Sequence, residues 1–465
     1  MRYFSFILSI IPLMRKKSPP LITERLATMG VGASAVIICA LPFHAFVTTW
    51  LGSQIGAYDL VRSWKEALLL LGILLAIAVV VSDSTRRWQQ LLKQTPILWI
   101  LGYACLTLLC TFATLLQSEV TRDALLYGLM IQLRFLCFFG LLALFSLYND
   151  FIYQYWQRLL FVPASVVIGF GLLQVFVLPA DFLTNFGYGP DTIPAVQTID
   201  NKSEYQRIQS TLRGANPYGA YLVLIITALV VRLWKQARDY RTWLLLAGAA
   251  VNLYCTYSRS AWAGLLLSLL VVGLTIGRRY IKPSLIAGAA VLAVLSLATV
   301  WTLRDNDYVQ NILFHSDETS ISAQSSNEQR GQGLARSFEE IVGEPLGGGI
   351  GSAGPASFRN QPEPPQIAEN YFIQAGQEMG WLGIIGLLGV MIAFGRWLVR
   401  YIREPLALVL FASLVGVTLI NLVSHAWADD TLSLVWWGLA GAYMGYAILN
   451  KDQTKSKLYG TQKEK

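Results

Sequence analysis

The sequence predicts an all-α polytopic membrane protein with about twelve membrane-spanning helices. Its 465 residues are 54% hydrophobic and only 14% charged, whereas soluble globular chains carry about 25% charged residues. The apolar runs are continuous and about 20 residues long, which is the length a helix needs to cross the hydrocarbon core. They are not alternating segments of about ten residues, so the spans are expected to be helices and not barrel strands.

Twelve apolar runs give the predicted order of elements along the chain. Spans one to nine fill residues 27–303, and spans ten to twelve fill residues 375–449. The individual runs cover residues 27–50, 64–82, 95–117, 124–147, 158–178, 217–234, 242–256, 260–277, 283–303, 375–396, 404–424 and 431–449. Residues 1–26 are expected to form a cytoplasmic or interfacial segment, because the apolar stretch there lacks the small-residue cleavage site of a signal peptide. Residues 450–465 form a basic tail.

The basic residues predict that both termini are cytoplasmic. Most of the 36 lysines and arginines fall in the termini and short loops that share a side if the N-terminus is cytoplasmic, as the positive-inside rule describes. Two long loops then face outward, at residues 179–216 and 304–374. The second is a large extracytoplasmic loop between spans nine and ten. The net charge of +8 is therefore a topology signal, and no nucleic-acid partner is expected.

Two arginines and a proline mark the start of the sixth span. Arg207 and Arg213 precede Asn216 and Pro217, and a proline suits the first turn of a helix. A helix N-terminus presents free N–H groups and a positive dipole end, which favour an anion. We interpret this stretch as an anion-binding group. The alternative is a pair of interfacial arginines that reach lipid headgroups.

Arg259 lies in the turn TYSRSAWAG between the seventh and eighth spans. An arginine at such a position is costly unless it is paired or faces an aqueous cavity. A guanidinium stays charged and grips a diphosphate bidentately, which makes Arg259 a candidate for that role. The alternative is a topological anchor at the membrane surface.

Arg330 opens an amphipathic segment, residues 330–342, in the second long loop. The glycine-rich turn EPLGGGIGSAG follows it. No Walker lysine follows these glycines, so we reject a nucleotide site of that kind. The glycines are expected to allow close approach of the backbone to a substrate or to a neighbouring helix.

Glu369 and Asn370 stand where the polar loop gives way to the tenth span, in the stretch AENYFIQAGQEMGWLG. A carboxylate at the boundary between water and an apolar bundle is partly desolvated, which suits a general base. The alternative is an ordinary acidic residue at a helix start, where the helix dipole favours it.

His425 and Asp429 lie in the last predicted outer loop. A supporting hydrogen bond or a contact with an acceptor is the expected role, and helix capping by the aspartates of this loop is the alternative. No third metal ligand is near them. The other histidines, His44 and His315, are scattered and the five cysteines lie in apolar runs, so no metal and no cofactor is expected.

In this order and at these topological positions, the motifs resemble the O-antigen ligase and O-antigen polymerase (Wzy-C) superfamily. The resemblance covers roughly residues 60–450. Where the family motif has a histidine before its asparagine, this chain has Glu369. The other matching residues are Arg207 before Asn216 and Pro217, Arg259 in the YSR turn, Arg330 before the glycine-rich turn, and Asn370 followed after nine residues by Gly380 and Gly383.

The resemblance implies a GT-C-like glycosyltransferase in the bacterial plasma membrane that needs no metal. It would move a glycan from undecaprenyl diphosphate to an acceptor hydroxyl on the outer face, in one inverting step. Its partners would be an undecaprenyl-diphosphate-linked oligosaccharide, a glycan or glycolipid acceptor, and the lipid bilayer. Glu369 would replace the histidine base, and Arg207 and Arg259 would stabilise the diphosphate. Substrate contacts are expected from Arg213, Asn216, Arg330, Asn370, His425 and Asp429.

Two questions about function stay open at this point. The motifs do not separate a ligase from a polymerase. A transporter or a lipid-linked glycan flippase is the alternative from another class, and such proteins place polar residues near the membrane midplane on broken helices in symmetric halves. Here the charges cluster at one surface, only Arg134 is deep, and no repeat is present, which favours an enzyme.

Overall fold

The computed structural model describes residues 19–199, 202–277, 302, 326–362 and 364–461. Of these, residues 202–203, 326–330 and 451–461 are described by their backbone alone. Within the described ranges the chain is almost entirely helical, with one small antiparallel sheet. The predicted interfacial segment before residue 19 and the predicted ninth span, residues 283–303, lie outside the described residues apart from residue 302.

The helices follow the order of the apolar runs. The elements are α1 Leu21–Ala40, α2 His44–Ile55, α3 Tyr58–Arg62, α4 Trp64–Ser82, α5 Thr95–Gln117, α6 Arg122–Phe145, α7 Phe151–Phe176, β1 Gln197–Ile199, β2 Lys202–Arg207, α8 Ala215–Lys235, α9 Tyr240–Cys255, α10 Arg259–Gly277, α11 Ser326–Gly343, α12 Tyr371–Val399, α13 Pro405–Asn421 and α14 Asp430–Thr461.

Nine helical stretches of the described chain are long and apolar enough to cross a membrane, with α1 and α2 counted together. The prediction of an all-α polytopic membrane protein is therefore confirmed. Helices α9 and α13 stand at two further predicted spans but contain only 16 and 17 residues. Helix α13 ends early because the chain then folds back into the bundle, where Trp427 is only 1% exposed.

The observed helices depart from the predicted boundaries at both ends of the chain. The first span is longer than predicted and is divided by the 3-10 turn Leu41–Phe43, because Pro42 cannot donate a backbone hydrogen bond. The long loop after the ninth span contains the helix α11, as its amphipathic pattern predicts. At the other end, α14 continues to Thr461 and so includes most of the predicted tail.

Glycines allow the central helices to pack closely. A Cβ added at Gly441 or Gly445 of α14 would lie 2.3 Å or 2.5 Å from a backbone oxygen of α6. Helices α10 and α13 cross in the same way. A Cβ added at Gly264 of α10 would lie 2.8 Å from the carbonyl oxygen of Gly416 of α13. Small residues at such crossings let helix backbones approach within a membrane. These contacts bring the start of α10 beside the end of α13.

We expect Gly264→Ala to lower the thermal stability of the detergent-purified protein. Its added methyl group meets a backbone carbonyl that cannot move without shifting α13, and overpacking of this kind costs about 1–3 kcal/mol. Gly102→Ala is the matched control, because no described atom lies within 4 Å of its added Cβ and the position is exposed. Equal melting temperatures for the two variants would contradict this account of the crossing.

Candidate active site

The predicted site residues lie at one end of the bundle, which we call the site end. Helices α8, α10, α12 and α14 begin there, and α13 ends there. An added Cβ at Gly219 near the start of α8 would lie 3.0 Å from the Ser258 side chain just before α10. Asn370, before α12, donates from Nδ2 to the carbonyl oxygen of Leu422 just after α13, at 3.0 Å. The chain then reaches α14, and the Trp427 amide donates to Asn421.

Arg207 joins three elements at the site end. Its Nε donates to the carbonyl oxygen of Thr256 at 2.8 Å, and its Nη2 donates to Oδ1 of Asn216 at 2.5 Å. These bonds connect the end of β2 to the first turn of α8 and to the turn that follows α9. The Ile208 amide adds a hydrogen bond to Cys255 in the same region. Arg207 therefore fixes the turn that carries Arg259.

Arg259 is the first residue of α10 and is partly buried. The tight turn before it requires a left-handed backbone at Tyr257, with φ 47°, and Ser258 donates its amide to the Thr256 hydroxyl at 3.2 Å. The guanidinium thus stands beside the positive end of a 19-residue helix. Both features favour a bound anion.

Glu369 precedes α12 in a strained backbone conformation. Its φ is 48°, which is uncommon for a residue with a Cβ and recurs at functional sites. The next residue, Asn370, caps α12: its Oδ1 accepts from the amides of Phe372 and Ile373 at 2.9 Å and 3.1 Å. Because Asn370 also donates to Leu422, the backbone next to Glu369 is held beside the end of α13.

Arg213, His425 and Asp429 form a second group at the site end. Arg213 is exposed. Burial, with a smaller contribution from the charge of Arg213, lowers the pKa of His425 to about 4, so the imidazole is neutral at pH 7. Burial also raises the pKa of Asp429, although Arg213 and two backbone amides oppose it. Those amides belong to Thr431 and Leu432, so Asp429 caps α14 as well as facing Arg213.

The glycine-rich turn packs under the site against three helices. Gly347, Gly349 and Gly351 all have positive φ, and an added Cβ at each would clash with α12, α5 or α6 respectively. The glycines thus serve close approach to helices, one of the two roles the sequence predicts. Arg330, at the head of this region, lies in α11, but its side chain is outside the described atoms.

Sequence reasoning missed a buried carboxylate beneath this turn. Glu378 of α12 is fully buried and accepts hydrogen bonds from Nε2 of Gln132 at 2.6 Å and from the Gly351 amide at 3.1 Å. Two residues before Gly380, where α12 is kinked, it ties the glycine-rich turn to α6 and α12. The signal was an acidic residue inside an apolar span, which is costly unless it is bonded.

Sequence reasoning also missed a ring of four charges on α4, α6 and α14, which we call the charge ring. Lys65 lies 3.2 Å from Glu66 and 3.2 Å from Asp430. Arg134 closes the ring, 3.1 Å from Glu66 and also paired with Asp430. The side chains of Lys65 and Arg134 are 1% and 9% exposed. Arg134 was identified as deep, but its partners were not, since they come from distant parts of the chain.

Residues 242–388 match the family model described as O-Antigen ligase, Wzy_C. This segment is a Wzy_C domain. The matched region is about a third of the chain and contains Arg259, Arg330, Glu369 and Asn370. The expected family is thereby confirmed for residues 242–388. No curated protein matches the chain.

The Wzy_C domain and the apolar helices together support the expected class of protein. It is a multi-pass membrane protein that contains a domain of the O-antigen ligase type, and the domain indicates glycosyltransferase activity. The charge ring and the residues Arg207, Arg213, His425 and Asp429 lie outside the matched segment but at the site end of the bundle.

We expect Asn370→Ala to destabilise the protein more than Asn370→Asp. Alanine removes both the helix cap and the bond to Leu422, and loss of a cap costs about 0.5–2 kcal/mol. Aspartate keeps the capping oxygen and loses only the donor. Thermal unfolding of the purified variants, followed by circular dichroism, measures the difference. Equal losses in both variants would contradict the capping role.

Proposed function

We propose that this protein transfers a glycan from a polyprenyl diphosphate, such as undecaprenyl diphosphate, to an acceptor hydroxyl. The reaction occurs on the outer face of the plasma membrane, with both termini in the cytoplasm. One observation supports this function above the others. Arg259 and Glu369 stand at the starts of two helices, α10 and α12, and both starts contact the end of α13. A cation for the leaving group and a base for the acceptor thus adjoin one region.

Arg259 stabilises the departing diphosphate. As the bond between the anomeric carbon and the diphosphate oxygen breaks, negative charge grows on that oxygen. A guanidinium at a helix N-terminus stabilises this charge without reorganisation, and little water at the site strengthens the interaction. Arg207 holds the turn that carries Arg259, and exposed Arg213 adds positive charge at the same end. With this much cationic charge, the chemistry does not call for a metal ion.

Glu369 serves as the general base. It accepts the proton of the acceptor hydroxyl as the hydroxyl oxygen bonds to the anomeric carbon, on the face opposite the diphosphate. One carbon–oxygen bond forms while another breaks, and the configuration inverts. The anchor from Asn370 to Leu422 holds the carboxylate in place during this step.

His425 and Asp429 contact the substrates in this proposal without supplying the charge for catalysis. At pH 7 the neutral imidazole of His425 can donate and accept hydrogen bonds, but it adds no positive charge. Asn216 and Arg330 stay candidates for substrate contacts, and Asn216 also accepts the bond from Arg207. Ligase and polymerase differ only in the acceptor, and either fits this geometry.

We expect Glu369→Gln to lower glycan transfer by about 100- to 10,000-fold, because it removes the base and keeps the shape. The assay uses purified protein in liposomes, a carrier-linked oligosaccharide and a glycan acceptor. Glu339→Gln on α11 is the control, since Glu339 is exposed and belongs to no part of the proposed site. A wild-type rate for Glu369→Gln would refute the assignment. Movement of carrier lipid across the bilayer with no new glycosidic bond would instead identify a flippase.

We expect Arg259→Ala to raise the KM for the lipid-linked donor and to lower kcat. The diphosphate is charged before the reaction and gains charge during it, so both parameters change. Arg259→Lys should restore activity only in part, because lysine lacks the bidentate fork. Arg400→Ala, at the exposed opposite end of α12, is the control. If Arg259→Ala behaves like Arg400→Ala, Arg259 is a topological anchor.

A further inference from the structure

The charge ring forms the floor of a cavity at the site end. The cavity has a volume of about 470 Å³, within the range of small-molecule sites. On α6 the lining residues run from Tyr127 to Arg134, which corresponds to about 10 Å along that helix. The cavity therefore extends along α6 and across the starts of α4 and α14. We call it the charged cavity.

The mouth of the charged cavity is polar and more exposed than its floor. Arg62 lies there, 3.7 Å from the exposed carboxylate of Asp59 and 5.9 Å above the ring of Tyr127. Arg213 and Thr192, both exposed, line the same opening. The cavity is thus open at the site end and closed by nearly buried ion pairs at its inner end.

The charges that line the cavity balance. Arg62, Lys65, Arg134 and Arg213 supply four positive charges. Four carboxylates, those of Asp59, Glu66, Asp429 and Asp430, also line it. A site for a phosphate or diphosphate needs an excess of cations or amide donors. This lining instead suits a ligand that carries no net charge.

The donors and acceptors of the lining suit a polyhydroxylated ligand. Guanidinium groups offer paired donors and carboxylates offer paired acceptors, and the exposed hydroxyl of Ser63, which donates to the Leu60 carbonyl, can still accept. Each sugar hydroxyl is both a donor and an acceptor.

We propose that the charged cavity is a glycan-binding subsite that holds an uncharged sugar unit through its hydroxyl groups. This inference rests on the proposed transfer activity, because that activity is the reason for choosing a glycan as the uncharged ligand. The cavity lies at the same end of the bundle as the proposed active site and shares Arg213 and Asp429 with the second group described there. Because the inner end is closed, the sugar unit sits in the cavity as the end or a branch of a substrate glycan.

The test is to fill the mouth of the cavity without changing the charge ring. Ser63→Trp places a bulky side chain at an exposed residue of the lining. Ser84→Trp is the matched control, because Ser84 is exposed beyond the opposite end of α4. We expect Ser63→Trp to raise the KM for one glycan substrate at least tenfold, with kcat and melting temperature near those of Ser84→Trp. Whether donor or acceptor KM rises identifies the glycan that uses the subsite.

A direct binding measurement separates this proposal from the transfer activity. Neutral oligosaccharides released from the envelope polysaccharide of the source cells are titrated into the purified protein by calorimetry, with inorganic pyrophosphate in a parallel titration. We expect oligosaccharide binding to the wild type and to Ser84→Trp, and its loss in Ser63→Trp, even if no transfer is detected. No oligosaccharide binding to the wild type, equal binding to both variants, or unchanged KM values in Ser63→Trp would overturn the subsite. Pyrophosphate binding that Ser63→Trp abolishes would overturn it in favour of an anion site.

Discussion

The pairing of charges inside a low-dielectric bundle constrains the rest of this structure. Lys65 and Arg134 can be buried only because Glu66 and Asp430 complete the charge ring. Removal of one partner from such a buried pair costs about 3–5 kcal/mol, because the remaining charge is left uncompensated. The ring therefore fixes the start of α14 against α4 and α6. It also fixes the loop before α14, and through that loop the end of α13 to which Asn370 is bonded.

The site is built from helix ends, and two kinds of contact bring those ends together. At glycines such as Gly264 of α10 and Gly416 of α13, two helix backbones come into close contact, and these contacts set the directions of the helices. Side chains at the ends then set the local geometry: Arg207 joins β2, α8 and the turn after α9, and Asn370 joins α12 to the end of α13. Glu369 directly precedes Asn370, and Arg259 follows the turn to which Arg207 is hydrogen-bonded. Their positions are thus determined by the frame, which suits groups that must act on a substrate in a fixed orientation.

Local signals in the sequence predicted much of this arrangement. The apolar runs predicted the order of helices, and turn chemistry predicted that Arg259 and Glu369 stand at helix starts. Pairing between distant residues could not be predicted, because Lys65, Arg134 and Asp430 come from three helices whose neighbours depend on the whole fold. The hydrogen bonds that Glu378 accepts from Gln132 and Gly351 could not be predicted for the same reason. The break at Pro42 was visible as a proline, but its apolar surroundings read as one continuous span.

The neutrality of the charge ring has an electrical consequence. A cavity that is open at the site end and extends about 10 Å along α6 lets the membrane potential fall mainly across the remaining thickness of the bundle. An ion that moves through the whole potential changes its energy by about 2.3 kcal/mol per charge for each 100 mV, so an ionic ligand in the cavity would be held more or less tightly as the cell is energised. An uncharged sugar moves no charge through the field. Its binding there is the same in an energised and a de-energised membrane.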